Sequence, residues 1–288
     1  MKDIKKILVL TSGGDAPGMN PAIRAVVRTG LYYGMEVFGS LHGLQGLLTK
    51  EIIPLDIGSV SNCIQRGGTI LKTSRSEEFR KKPARDEVRK YLAQLGMDAL
   101  IILGGDGSFR AGALLRQEGG PNVMGVPCTI DNDIVGTEYT IGFDTAVNTA
   151  LSAIDKIRDT ASSHDRRFMV EVMGKTSGFI AVEVGIAGGA EIILTPEFPM
   201  TAEALIEQMS HRRPEKLTSI VVAAEADHPG HTIKLANQIR ALSPSTDFKV
   251  CILGHIQRGG SATAHDRRIA SVMGAKAVMA LREGTTDK

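Results

Sequence analysis

The sequence predicts an α/β protein of two lobes, each a mainly parallel sheet sandwiched by helices in a three-layer, Rossmann-like arrangement, and three observations predict it. Strand-like and helix-like runs alternate: apolar stretches at residues 7–10, 99–103 and 123–126 are followed by helical periodicity at 18–33, 109–115 and 143–157. The apolar stretches are continuous rather than alternating, as in parallel strands covered on both faces. Each empties into a loop of Gly, Asp, Ser or Thr, where open parallel sheets keep their ligands, so an active site is expected in the cleft between the lobes.

The elements follow in order. The first strand opens into Thr11-Ser12-Gly13-Gly14-Asp15, and Gly34 ends the next helix as a C-cap candidate. The strand at 99–103 ends in Gly104-Gly105-Asp106-Gly107-Ser108, and the one at 123–126 leads to Thr129-Ile130-Asp131-Asn132-Asp133. Further strands are expected at 168–172, 191–194, 219–224 and 250–253, with helices at 202–209, 232–242 and 268–281. A loop rich in Gly and Thr at 133–142 marks the boundary between two sets of units.

Composition narrows the function classes. A chain of 288 residues has room for roughly two domains of ordinary size. Hydrophobic content of 42% and charged content of 23% describe a soluble globular protein, and no apolar run reaches the ~20 residues of a membrane helix. The N-terminus runs straight into a strand pattern without a secretory apolar core, so no membrane partner and a cytoplasmic location are expected. Cys63, Cys128 and Cys251 are odd in number and far apart, which fits reduced thiols rather than a disulfide frame or a zinc site. A net charge of +2 with no Trp gives no footprint for nucleic acid.

Several loops have chemistry to offer. Glycines before a helix let the loop at 12–18 turn backbone N–H groups toward an anion, although a plain strand-to-helix turn reads equally well. It is not a Walker A loop, because Met19-Asn20 stands where Lys and Ser or Thr are required, and Arg110 breaks a dinucleotide fingerprint after Gly105 and Gly107. Asp106 between two glycines is open to a metal bound to phosphate oxygens, or caps a helix starting near Ser108. Asp131 and Asp133 after an apolar strand point to proton transfer and a metal, against a solvated Asx-turn pair. His255 and Arg258, and Arg166 in the earlier loop, are donors suited to a sugar phosphate, or else a structural histidine and surface arginines. The charge run at 80–87 reads as a solvated loop and helix start.

Taken together, residues 10–20 (LTSGGDAPGMN), 104–108 (GGDGS), 129–133 (TIDND), 171–174 (EVMG) and 254–260 (GHIQRGG) resemble, in order and spacing, the bacterial ATP-dependent 6-phosphofructokinase family. The resemblance runs from about residue 4 to about residue 282. It implies a nucleotide lobe of residues 1–139 plus 256–288 and a sugar-phosphate lobe of residues 140–255, and phosphorylation of fructose 6-phosphate at its 1-hydroxyl by ATP with Mg²⁺. By the same resemblance Asp131 is the base, with Thr129 and Asp133 beside it, and Asp106 contacts Mg²⁺. Gly14, Arg75, Ser76, Gly105, Gly107 and Ser108 match nucleotide positions, Arg75 stabilising charge on the transferring group. The sugar phosphate falls to Thr129, Ile130, Asp131, Met173, Gly174, Lys175, Glu225, Lys249, His255 and Arg258. Arg166 matches a position reaching a neighbouring subunit's site, which implies a homotetramer. Arg24, Arg28, Arg158 and Glu191 match an effector site.

Some positions depart from the family pattern. Lys175 and Lys249 stand where Arg is usual, replacing a two-pronged contact with a point charge. Leu44 and Ser76 replace aromatic residues near the nucleotide, and Ile57 replaces an effector-site Arg, with a thinned basic stretch near 214–218. Cys128 replaces a small Gly; pyrophosphate users carry Lys there and an acid at position 107, so Gly107 argues for ATP. The family's last strand and helix are expected to be absent from this chain.

Overall fold

The structure, a computed structural model, describes residues 4–210, 218–226 and 228–285. The chain divides into two compact units, the first of Met1–Thr129, Asp133–Asp144 and Arg258–Lys288, the second of Ile130–Asn132 and Thr145–Gln257.

Among the described residues the first unit holds five strands: β1 (Lys6–Thr11), β2 (Glu36–Ser40), β3 (Ile52–Leu55), β4 (Ala99–Gly104) and β5 (Asn122–Pro127), in the order β3-β2-β1-β4-β5. All neighbours pair in parallel except β2 with β3. Its helices are α1 (Met19–Tyr32), α2 (Leu44–Leu48), α3 (Lys82–Gln94), α4 (Asp106–Gln117) and, from the end of the chain, α9 (Ala264–Arg282). Six successive apolar or small residues of β4 are buried, which is why this strand reads so clearly in the sequence. Leu8, Leu100, Ile102, Phe79, Leu92 and Leu115 form the core around it.

Register brings the loops together. Thr11 lies level with Leu103, and Gly104 with Pro127, so β1, β4 and β5 all empty at one edge of the sheet. Ser12 N–H extends the ladder by donating to Leu103 O at 2.9 Å, and Cys128 N–H does so to Gly104 O at 2.9 Å.

The second unit is an all-parallel sheet in the order β7-β8-β6-β9, from β6 (Arg167–Val172), β7 (Ile192–Leu194), β8 (Ser219–Ala224) and β9 (Phe248–Ile252). Its helices are α5 (Phe143–Ser163), which begins in the first unit, α6 (Phe179–Ala187), α7 (Ala202–Ser210) and α8 (His231–Leu242). Met169, Leu205, Val221 and Ile239 lie in its core.

Two expectations need correction. Residues 80–87 are not simply a solvated run: α3 starts at Lys82 with a proline in its first turn, and Arg85 is buried on the same face as Val88 and Leu92. Its guanidinium forks onto Glu118 at 2.8 and 2.6 Å and donates to Phe79 O and Arg80 O, so the charge is satisfied inside. That pairing holds the Glu118 carboxyl below the usual range. Second, α4 begins at Asp106 rather than near Ser108 or Phe109, because Gly105 serves as N-cap and an acid is favoured in the first turn.

Helix α1, which follows the first glycine loop, lies tight on its sheet. A Cβ at Gly30 would stand 2.8 Å from Val37 and 2.9 Å from Ile7 side-chain atoms. Gly30→Val is therefore expected to lower stability by about 1–3 kcal/mol through overpacking, measured by urea denaturation; a gain in stability, as helix propensity alone would give, would contradict the close packing.

Candidate active site

At the carboxyl edge of the first unit's sheet, Gly13 takes a left-handed φ of 90°, a conformation natural to glycine. Thr73 Oγ1 donates to Gly13 O at 2.9 Å, and Thr11 Oγ1 to Lys72 O at 2.8 Å, docking the segment that carries the exposed Arg75 beside the loop. Ser108 Oγ donates to Ser12 Oγ at 2.9 Å, joining the loop after β1 to the first turn of α4. Arg258 lies over Gly14: its Nη1 donates to Asp15 O at 2.9 Å, and a Cβ at Gly14 would stand 2.5 Å from the same nitrogen. Gly14 thus admits the guanidinium by lacking a side chain.

Asp106 and Gly107 are exposed in the first turn of α4, where backbone N–H groups have no intrahelical acceptor and an anion is favoured. Asp106 Oδ2 pairs with Arg110 Nε at 2.8 Å along the helix. Thr129 Cβ stands 4.0 Å from where a Gly105 Cβ would be, which places it on this edge too, with Thr140 Oγ1 donating to its carbonyl at 2.6 Å. Among the described residues no cluster of three His, Cys, Asp or Glu could hold an ion. Asp106 offers one hard oxygen group near the helix N-terminus, which fits Mg²⁺ held mainly by phosphates and water.

In the second unit the carboxyl ends of β6, β8 and β9 gather the residues expected for a sugar. Met173 N–H donates to Gln257 Oε1 at 2.8 Å, and Lys175 N–H to Glu225 Oε1 at 3.1 Å. Gly174 and Lys175 both have positive φ, 146° and 56°, giving a sharply turned loop that Ser177 N–H closes onto Gly174 O at 2.9 Å. Ser177 Oγ donates to Asp131 O at 3.1 Å, tying the 130–132 segment to this loop, and Asp131 is buried. His255 follows β9 and is exposed.

Other expected site residues lie apart from these groups. Lys249 pairs in register with Phe168, and Arg166 immediately precedes β6, so both sit toward the amino edge of the sheet that carries Met173, Glu225 and His255 at its carboxyl edge. Lys249 is engaged by Asp247 at 2.8 Å. Arg24 and Arg28 lie on α1 of the first unit. In the second unit Arg158 donates to Gly189 O at 2.9 Å, and Glu191 Oε2 accepts from Ile220 N–H at 2.6 Å, on either side of one turn. Leu44 is in the core, Ser76 bonds Gln45 and the Phe79 N–H, and Ile57 is exposed. Residues 214–217 of the thinned basic stretch lie outside the described residues.

The side chains of Ser12 and Gln257 were given no role in the sequence reading, although both lie inside quoted motifs. Gln257 is fully buried and holds both Met173 N–H and, at 3.4 Å, Ala146 O. A polar side chain inside each quoted motif was the available signal.

Comparisons with known proteins agree on one family. The family described as Phosphofructokinase matches residues 6–281. The chain is 58% identical to the ATP-dependent 6-phosphofructokinase of Coxiella burnetii, covering all of this chain and 88% of that protein. It is 53% identical to ATP-dependent 6-phosphofructokinase 1 of Thermus thermophilus, over 98% of this chain and 88% of the relative. The phosphofructokinase structure from Saccharomyces cerevisiae superposes with a TM-score of 0.89 at 38% identity, covering 97% of this chain and 42% of that one. A pyrophosphate-dependent phosphofructokinase from Marinobacter aquaeolei superposes at 0.84 with 25% identity, over 98% and 77%.

The thiol at the end of β5 gives a direct test of local packing. Burial pushes the Cys128 thiol far up, the Asp266 carboxylate adding to it, and burial also raises Cys63 and Cys251. A raised pKa means little thiolate at pH 8. Iodoacetamide followed by mass spectrometry is expected to label the half-buried Cys251 slowly, and Cys63 and Cys128 only once the chain unfolds. Rapid labelling of Cys128 in the native protein would contradict this burial.

Proposed function

The chain belongs to the phosphofructokinase family, and from that premise we propose how its residues move the γ-phosphoryl group of ATP to the 1-hydroxyl of fructose 6-phosphate, the glycolytic reaction that yields fructose 1,6-bisphosphate and ADP. The reading is carried by the level strand ends of the first sheet: the glycine loop, the first turn of α4 and Thr129 share one edge, and the chain reaches Asp131 two residues later.

Backbone N–H groups around Gly14 and of Asp106 and Gly107 hold the phosphates, with the α4 N-terminus adding partial positive charge. Arg75, exposed just beyond the docked Lys72 and Thr73, brings a cation to the charge that builds on the transferring group. Asp131 orients the 1-hydroxyl and takes its proton, helped by the Thr129 hydroxyl. Asp106 would hold Mg²⁺, which when bound neutralises phosphate charge and fixes the triphosphate. Phosphoryl transfer asks mostly for such positioning and charge stabilisation. Met173, Gly174, Lys175 and Glu225 hold the sugar, and His255 with Arg258 its 6-phosphate.

Arg166 and Lys249 serve a neighbouring copy in a homotetramer. The support is their shared place at the amino edge, away from their own unit's sugar loops. Among the described residues no helix is long and apolar enough to cross a membrane, and we place the enzyme in the cytoplasm with its phosphorylated substrates.

Asp131→Asn keeps the shape and removes the base, so kcat is expected to fall about 10²- to 10⁴-fold in an NADH-coupled assay, with KM values little changed; full turnover would defeat the assignment. A Cβ at Gly107 meets nothing within 4 Å, so Gly107→Asp should fold normally. Its carboxylate would face the nucleotide phosphates and raise KM for ATP about tenfold or more; an unchanged KM would remove Gly107 from the donor site.

A further inference from the structure

We infer that Glu171, which the proposed chemistry leaves unused, is a positioning residue for the sugar-binding loops, acting through Glu225. It is the one charged residue in the carboxyl half of the central strand β6, and it is 1% exposed. Burying a carboxylate is costly unless it is fully bonded, and an apolar side chain would serve the core at least as well. The reason for an acid here lies in what it holds.

Its Oε1 accepts Gly230 N–H at 2.6 Å, and its Oε2 accepts Thr232 Oγ1 at 2.6 Å and Thr232 N–H at 3.3 Å. The His231 ring nitrogen Nδ1 stands 3.5 Å from Oε2. Gly230 is the N-cap of α8 and has no side chain with which to cap it, so Glu171 supplies the cap from the neighbouring strand. Helix α8 is thereby fixed at the point where the connection from β8 arrives.

That connection begins with Glu225, whose N–H donates to Val172 O at 2.8 Å and whose carboxylate accepts Lys175 N–H. The next residue, Ala226, sits at φ 50°, a left-handed conformation that a residue with a Cβ disfavours. Such a bend persists only when its surroundings impose it. Strand β6 holds the described residues of this connection at two points, the Val172 carbonyl accepting Glu225 N–H and the Glu171 carboxylate accepting Gly230 N–H. The Glu171 carbonyl also accepts Leu253 N–H at 3.0 Å, just ahead of His255. One strand position therefore reaches toward both loops assigned to the sugar phosphate.

This inference rests on the functional reading above, and the test separates the two. In Glu171→Gln an amide N–H₂ must face a backbone N–H, losing a charge-assisted bond without changing volume. KM for fructose 6-phosphate is expected to rise about tenfold while KM for ATP stays at the wild-type value. Thr232→Val should raise the same KM by a smaller factor and Thr232→Ser should restore it, which keeps the test open if Glu171→Gln fails to fold. An unchanged sugar KM in Glu171→Gln and Thr232→Val, or parallel changes in both KM values, overturns the inference alone. A wild-type chain that cannot phosphorylate fructose 6-phosphate overturns the functional reading and this inference with it.

Discussion

Parallel pairing is the constraint on which the rest depends. A parallel ladder aligns the ends of its strands, so every loop that leaves a carboxyl end is delivered to the same edge. With Thr11 level with Leu103 and Gly104 level with Pro127, the first unit has no choice about where its glycine loop, the start of α4 and the Cys128–Thr129 segment appear. The second unit repeats the rule, with Val172 level with Ala224 and Glu171 with Ile252. Side-chain chemistry is then a matter of what each loop carries.

The loops themselves are held by hydrogen bonds between neighbours rather than by bulk. Ser108 to Ser12, Thr73 to Gly13 and Thr11 to Lys72 tie three sequence-distant segments to one another around glycines. Backbone amides near a glycine can approach a phosphate closely, and a helix start adds to the attraction, so an anion can be bound with few cationic side chains. The modest net charge of the chain is consistent with that economy. In the second unit the control is conformational: Gly174, Lys175 and Ala226 all adopt positive φ, and the buried polar groups of Gln257 and Glu171 accept the Met173 and Gly230 N–H groups close by.

What was legible in the sequence follows from the same physics. The strands β1, β4, β5 and β8 were readable because burial on both faces leaves a nearly unbroken apolar run, and the glycine loops because Gly13 and Gly18 take a positive φ and Gly104 has no room for a Cβ beside the Ser12 carbonyl. Strand β2 was not readable: it is short, starts with an exposed Glu36, and includes Gly39, where a Cβ would collide with Leu71 and Leu55. Strand β3 carries Pro54 and pairs antiparallel at the sheet's edge, where a missing N–H is tolerated. Helix α6 is apolar but for the exposed Glu183, and Phe179, Val182 and Ile186 are exposed as well, so it shows no amphipathic period to read. Among site residues, those in glycine-marked motifs were visible. Lys249 was grouped with the sugar-phosphate residues on resemblance alone, and the strand register sets it toward the edge opposite His255; Glu171, though it heads the EVMG motif, was given no role because a buried acid in a strand has no sequence pattern of its own.

The central question is which phosphate these loops hold and where it goes. Its most direct test is to give the wild-type chain fructose 6-phosphate and Mg²⁺ with either ATP or pyrophosphate and to follow the phosphorus by ³¹P NMR. The account predicts ADP and a new phosphate ester on the 1-oxygen with ATP, and no sugar product with pyrophosphate. Bisphosphate formed from pyrophosphate, or ATP cleaved without a sugar ester, would contradict it.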